Sequence, residues 1–379
     1  MKICYLADAR SIHTQRWVKY FADNGYEVHL ISFNSLGNCD IENIKLYVLK
    51  RLQPQIRVIY SSINLLSSVI HIKKLIKKIK PNIVHAHYVT GYGFYGALTA
   101  FNPFIVSVWG SDVLRVQEHK ISKYVLLYTL KKAAVITTTA EFMKGYLIRM
   151  FNVSENKIVR IPWGIDLNIF HRGYKEEVKR LKENLRIRAN SPIIISNRHM
   201  DPKYEIQSII DSIPYITKKY PNVIFIFIRG YGSLNFENEI KVKAKKLGVI
   251  NNIRFISRLI LPEEMAVFLN ASDAFISIPK TDQFGSSIME GMACGAIPIV
   301  STIKVYKQYL EDGKNAFFVN PESPEEIAEK IIYCIEHPEI KEKFYQINKK
   351  IIEEKENWNK NARKMEELYE ILVEGAIQE

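Results

Sequence analysis

The feature that most constrains this chain is a rhythm. Short, near-continuous apolar runs rich in β-branched residues recur along it, with amphipathic stretches between them. In the first half the runs are 2–7 (KICYLA), 27–32, 45–49, 83–87 (IVHAH), 104–109, 134–139 and 157–161, and helical patterns fill about 14–23, 61–79, 93–101, 120–132 and 140–150. A strand that is apolar on both faces must be covered on both faces, so the pattern predicts a parallel sheet between helices. The second half repeats it, with strands at 192–197, 223–229, 253–257, 274–278, 298–302 and 316–319, helices near 203–219, 236–247, 262–270, 286–294 and 324–336, and a charged helical tail from about 340. The fold class is α/β, as two Rossmann-like, doubly wound domains. The join falls in IPWGIDLNIFHRG, 161–173, giving 1–165 and 166–357, with a helix at about 358–379 expected to pack back on the first domain. Sheets of this kind bind ligands at the carboxyl ends of their strands, so two facing lobes place the site in an interdomain cleft.

A length of 379 residues suits two such cores, and 47% hydrophobic with 25% charged residues is an ordinary folded composition. Residue 1 leads directly into a strand pattern, and the longest apolar runs are strand-sized, so neither a secretory signal nor a membrane span is expected. Cys4, Cys39, Cys294 and Cys334 have no metal-ligand or disulfide spacing, which fits a cytoplasmic chain. Charge is distributed unevenly: residues 1–165 hold 22 Lys+Arg against 9 Asp+Glu, and residues 166–379 hold 31 against 31. The whole excess of +13 lies in the first half and points to an anionic partner there. With no helix-turn-helix, zinc or RNA-binding pattern, nucleic acid is the weaker candidate beside a phosphorylated substrate or an anionic membrane surface.

The residues at the strand ends carry the chemistry. After strand 274–278 comes PKTDQFGSS, a loop that empties onto a helix with Ser286 or Ser287 as its expected N-cap. A helix N-terminus offers free N–H groups and a positive dipole end, and Gly285 lets backbone approach closely, so a phosphate suits the spot. Glu290 is expected in the first turn, where it either complements the dipole or accepts the hydroxyls of a ribose. Asp282 either shapes the turn or faces the group beyond the phosphates. In SNRHMDPKYE, 196–205, Arg198 and Lys203 follow the first strand of the second lobe and are placed to reach a diphosphate. In the first lobe, DARSIHTQRW lacks the glycine-rich dinucleotide fingerprint, which argues against a nicotinamide or flavin enzyme. His85, His87 and WGSD (109–112) close the set of strand ends.

Together these residues resemble the retaining glycosyltransferases of family 4, of the GT-B fold, over essentially the full length. The family's Glu, seven residues, Glu signature is matched here from Asp282 through Phe284-Gly285 to Glu290 and on to Gly295 and Pro298. Supporting matches are Arg198 to Lys203, IPWGID with Asp166, and EDGKNAFFV at 311–319; SIHTQRW and HAHY…VWGSD look like one subgroup. The resemblance implies transfer of a sugar from a UDP- or GDP-sugar with retention, and neither a metal nor a cofactor. It implies that Arg198 and Lys203 neutralise the diphosphate with amides near Gly285 and Ser286, that Glu290 holds the ribose, and that Asp282 contacts sugar hydroxyls. Phe284, Ser287 and Arg258 are placed with the donor-binding set, His87 with the catalytic residues, and Ser11, His13, Trp109 and Asp112 near the acceptor and sugar.

Three departures stand out. Asp282 replaces a Glu, Tyr204 replaces a Gly, and Trp109 stands where many members have a His, so that either His87 or another strand-end residue substitutes, or the contact is missing. The amino-terminal lobe is the family's acceptor lobe. Its segment 61–81 reads as a helix with Leu65, Leu66, Val69, Ile72, Leu75, Ile76 and Ile79 on an apolar side and five Lys between 73 and 80. That is a core-facing helix with a solvated face, or, with 119–132, a peripheral membrane contact for a lipid-linked acceptor. A cell-surface glycan, polysaccharide or glycolipid is the expected product. A nucleotide-sugar-binding subunit without activity and a GT-B epimerase are the rival readings.

Overall fold

The computed structural model of the chain describes residues 1–36, 41–49, 57–114, 116, 120–282 and 285–378. It divides into two compact units, Met1–Trp163 with the residues from Asn359 onward, and Gly164–Trp358.

Unit 1 runs β1 (Lys2–Leu6), α1 (Ile12–Asp23), β2 (Glu27–Ser32), β3 (Ile44–Val48), α2 (Arg57–Ile79), β4 (Ile83–His87), α3 (Gly93–Thr99), β5 (Phe104–Val108), α4 (Ser111–Leu114), α5 (Lys120–Lys132), β6 (Val135–Thr138), α6 (Glu141–Phe151) and β7 (Ile158–Arg160). Its seven strands are all parallel, in the order β3-β2-β1-β4-β5-β6-β7. Chain direction across the sheet reverses between β1 and β4, the switch point where such sheets take ligands. On α2, Val69, Ile72, Ile76 and Ile79 face the core and Lys73, Lys74, Lys77 and Lys78 are exposed, as is Lys80 just after it. Leu66, expected on the apolar side, is 63% exposed, while its neighbour Leu65 is half-buried.

Unit 2 runs α7 (Lys175–Asn184), β8 (Ile193–Ser196), α8 (Ile206–Thr217), β9 (Ile224–Ile228), α9 (Leu234–Lys246), β10 (Ile253–Ile256), α10 (Pro262–Ala271), β11 (Ala274–Ser277), α11 (Ser286–Cys294), β12 (Ile297–Ser301), β13 (Phe317–Val319), α12 (Pro324–Glu336) and α13 (Glu339–Lys355). Its six strands are parallel in the order β10-β9-β8-β11-β12-β13, with the switch point between β8 and β11. Helices pack both faces: one core joins α8, α9 and α12 to the sheet through Ile209, Ile213, Phe236 and Ile331, and the other joins α10 and α11 through Phe268, Leu269, Ile288 and Met292. Helix α7 was not anticipated: KEEVKRLKEN offers only Val178 and Leu181 as apolar positions, too few to show a period. Residues 202–204 form a separate 3-10 turn, and left-handed Glu205 (φ 53°) precedes α8, which starts at 206 instead of about 203.

The last helix, α14 (Trp358–Gln378), belongs from Asn359 to unit 1. Tyr369 is fully buried there; its hydroxyl lies 2.8 Å from that of Tyr5 and 2.5 Å from His85 Nδ1, and its ring stacks on Phe21. No helix among the described residues is long and apolar enough to cross a membrane. Cys4, Cys294 and Cys334 are buried free thiols, and Cys39 lies outside the described residues.

Candidate functional site

In unit 2 the donor candidates converge on the β8/β11 switch point. Arg198 follows β8 and is almost wholly buried. Its Nη2 donates to Asp282 Oδ2 at 2.7 Å and its Nη1 to Ser287 Oγ at 2.5 Å, while its guanidinium lies 4.1 Å over the Tyr204 ring. A cation this buried persists because a carboxylate, a hydroxyl and an aromatic face replace water around it. Desolvation pulls its pKa down, but Asp282, Tyr204 and Tyr306 together more than offset that and hold it above the ordinary value. Asn197 Nδ2 donates to the Ser287 carbonyl at 2.7 Å, fixing the start of α11 to the end of β8. Ser196 Oγ and Asn197 Oδ1 are buried with no hydrogen-bond partner among the described residues.

The N-cap of α11 is Gly285, with extended backbone and no side-chain cap, not Ser286 or Ser287 as expected. Ser287 is taken up by Arg198, so the first amides of the helix keep their orientation toward an anion. Glu290 also moves. With the helix beginning at Ser286 it is the fifth residue, in the second turn, where the dipole acts less on it, and it is half-buried. Gly291 lies against β11 so tightly that a Cβ there would meet the Phe275 ring at 2.4 Å, which sets how close α11 stands to the sheet.

Lys203 lies on the 3-10 turn capped by Asp201, exposed, with its ammonium 4.8 Å over the Tyr204 ring. Tyr204, which fills the place of a glycine, thus carries both cations on one ring. Arg258 is not brought to this cluster: its guanidinium is spent on Glu264 in the first turn of α10, at 2.8 Å for one of two contacts, and it is largely exposed. Phe284 lies outside the described residues. Tyr306 was not foreseen. Fully buried in the turn after β12, it donates to Asp282 Oδ2 at 2.9 Å. Nothing in IKVYKQY marks it, since its partner is 24 residues earlier and meets it only through the sheet.

In unit 1 the carboxyl ends of β4 and β5 carry an aromatic cluster. The His13 ring stacks on Trp163 at 3.7 Å and meets Trp109 edge-on at 5.7 Å; Trp109 meets Trp163 at 5.4 Å and His87 at 5.4 Å. Trp163, in the join sequence IPWGID, was also missed; an aromatic in a predicted linker has no periodicity to announce it. Burial lowers His13 to about 4 and His87 to about 3, so both rings are neutral at physiological pH. His87 Nδ1 lies 3.2 Å from Thr14 Oγ1, while Nε2 is buried without a partner among the described residues. Asp112 does not face open space. Buried, it accepts from the backbone N–H of Val89 at 2.7 Å and of Trp109 at 3.0 Å, and desolvation outweighs these bonds to raise it to about 6. It positions the turn that carries Tyr88, a non-glycine residue at φ 73°. Ser11 precedes α1, half-buried, and makes no side-chain cap.

These observations define a class: two doubly wound α/β units, one with a buried arginine fixed at a helix N-terminus, the other with a cluster of aromatic rings and neutral imidazoles. Two family models match the chain, "Glycosyl transferase 4-like" over residues 2–140 and "Glycosyl transferases group 1" over residues 177–365. The chain belongs to the group 1 glycosyltransferases of the family 4 type, and is a transferase enzyme, in preference to the binding-subunit and epimerase readings. It is similar to the alpha-monoglucosyldiacylglycerol synthase of Acholeplasma laidlawii, 25% identical over 71% of this chain and 70% of that protein. It is similar also to an uncharacterized glycosyltransferase of Methanocaldococcus jannaschii, 22% identical over 96% and 94%. Among solved structures it superposes on Anabaena HepE in complex with UDP with a TM-score of 0.81, at 18% identity over 98% of this chain and 100% of that one. Sucrose-phosphate synthase from Thermosynechococcus elongatus gives 0.81 at 18% identity over 99% and 100%. The fold is GT-B.

Proposed function

We propose that the protein transfers a sugar from a UDP- or GDP-sugar, with retention, to a glycan, a lipid-linked or a phosphorylated acceptor used in cell-surface glycan or glycolipid synthesis. The observation that carries this is Arg198, a buried cation held at the N-terminus of α11. A leaving diphosphate gains charge as the C1–O bond breaks, and a fixed guanidinium with helix amides stabilises that charge without reorganising. Lys203 adds a mobile cation at the rim, and Glu290, one turn in, receives the ribose hydroxyls. In the front-face course, the acceptor oxygen bonds to C1 on the side the diphosphate leaves and passes its proton to the departing phosphate oxygen. No protein nucleophile and no metal enter this scheme.

Unit 1 takes the acceptor in this reading. Its aromatic cluster offers apolar faces for a sugar or lipid-linked group, and its excess of cations suits an acceptor phosphate or an anionic membrane surface. Homologous names agree with the donor and acceptor classes: HepE has been solved with UDP-glucose, and the Acholeplasma relative is a synthase of a glucosyldiacylglycerol.

A thermal-shift panel of nucleotide-sugars tests the reading. A donor at 100 times its Kd adds about 2.7 kcal/mol of stability, a shift of several degrees. The donor found should then be turned over. A panel in which no nucleotide-sugar raises the midpoint would sink the assignment of the site.

A further inference from the structure

The two donors on Asp282 come from different strands and meet on one atom. Arg198, after β8, and Tyr306, after β12, both donate to Oδ2, at 2.7 and 2.9 Å. Tyr306 cannot swing to do this: its ring is fully buried in the core formed by α10, α11 and β12, beside Phe275 and Met292. Burial first, and the Asp282 charge second, keep its hydroxyl protonated and so a donor. Asp282 itself stays partly open, with 18% of its side chain accessible. One carboxylate oxygen is therefore anchored from within the protein, and the other has no donor among the described residues and can meet one from outside.

We infer that Tyr306 is a positioning residue for donor selection: by clamping Oδ2 together with Arg198, it aims Asp282 Oδ1 at a hydroxyl of the transferred sugar. This rests on the nucleotide-sugar reading above. An aspartate has a single methylene and two soft torsions, so without a second anchor its carboxylate would rotate about the Arg198 contact. The buried hydroxyl removes that rotation before the ligand arrives, which lowers the entropic cost of binding the sugar. The free nucleoside diphosphate, which has no sugar hydroxyl, gains nothing from it. The clamp therefore separates sugar recognition from nucleotide recognition.

The test uses the full chain, the nucleotide-sugar giving the largest shift in the panel, and the matching free nucleoside diphosphate. Tyr306→Phe should weaken the nucleotide-sugar about tenfold and leave the free diphosphate within about twofold. With Asp282→Asn in place, adding Tyr306→Phe should weaken sugar binding no further, because the hydroxyl reaches the sugar through the carboxylate. A purely structural tyrosine would lower the unfolding midpoint and leave the ratio of the two affinities as in the wild type; that result, or additive losses in the double variant, overturns the proposal. Tyr306→Met, also without the hydroxyl, serves if the Phe variant does not fold. Failure of the wild-type chain to bind any nucleotide-sugar overturns the underlying reading and this inference with it, whereas equal sugar binding by wild type and Tyr306→Phe overturns the inference alone.

Discussion

At the scale of the residue, the decisive object is Arg198. Its planar fork reaches Asp282 and Ser287 at once while its face rests on Tyr204, an arrangement a lysine cannot reproduce. Arg198→Lys should lower kcat by about 10²-fold or more with a smaller change in KM, since the charge stabilised develops mainly in the transition state. Steady-state kinetics with the identified donor checks it; an unchanged kcat would mean the diphosphate lies elsewhere. Lys203, exposed and held only by the ring beneath it, should cost less than Arg198 when changed to Ala. The sequence made both cations visible through their place after a strand, and it made Asp282 visible through its spacing to Glu290. Tyr306 and Trp163 were silent, because each acts through a neighbour far away along the chain.

At the scale of the element, α14 closes unit 1. The Tyr369 hydroxyl is shared by Tyr5 on β1 and His85 on β4, and His85 continues through Nε2 to Ser107 Oγ at 2.7 Å and on to Thr137 Oγ1 at 2.6 Å. Polar atoms inside a parallel sheet persist when each is satisfied in this way. Tyr369→Phe keeps the ring and strands His85 and Tyr5, so it should destabilise unit 1 by about 1–3 kcal/mol, read as a lower denaturation midpoint with an unchanged m-value. Most elements could be read from periodicity alone. The exceptions have physical causes: α7 is too polar to show a stripe, the 3-10 turn at 202–204 is set by Asp201 and Pro202, and the start of α11 is fixed by a glycine that takes extended backbone.

At the scale of the whole molecule, acid and charge are the levers. His13, His85 and His87 all have folded pKa values below the 6.5 of a free imidazole, from burial. The unfolded chain takes up their protons first, so their stabilising effect holds above about pH 6.5 and is lost as pH falls toward about 4 for His13 and about 3 for His87. Asp112 opposes them: its pKa is raised to about 6, so the folded state gains relative stability as pH falls from there toward 3.8. With His29 lowered by burial as well, these four imidazoles against Asp112 should leave unit 1 losing stability below about pH 6.5, and His13→Phe should flatten that slope in melting curves taken from pH 7 to 4. A slope unchanged in the variant would remove His13 from the account.

Charge supplies the second lever. No acidic residue occurs between Glu42 and Asp112, and along the outer face of α2 exposed Leu66 and Ile70 precede exposed Lys73, Lys74 and Lys77. On α5, Ile121 and Tyr124 are exposed around Lys123. Co-sedimentation with anionic vesicles at low salt, lost at high salt, is the outcome expected of a peripheral contact. No enrichment would leave the charge to a phosphorylated acceptor.

The sequence by itself determined that the chain would form two parallel α/β units, because strands apolar on both faces have no other way to be covered. It also carried the resemblance to the family, in the residues from Asp282 to Pro298 and in the supporting matches around Arg198 and Asp166. Only the tertiary structure decided what those residues do to one another. Asp282 is an anchored carboxylate clamped by Arg198 and Tyr306, and no local rule of sequence brings the ends of β8, β11 and β12 onto a single oxygen; the parallel sheet, which orders its strands out of chain order, does that.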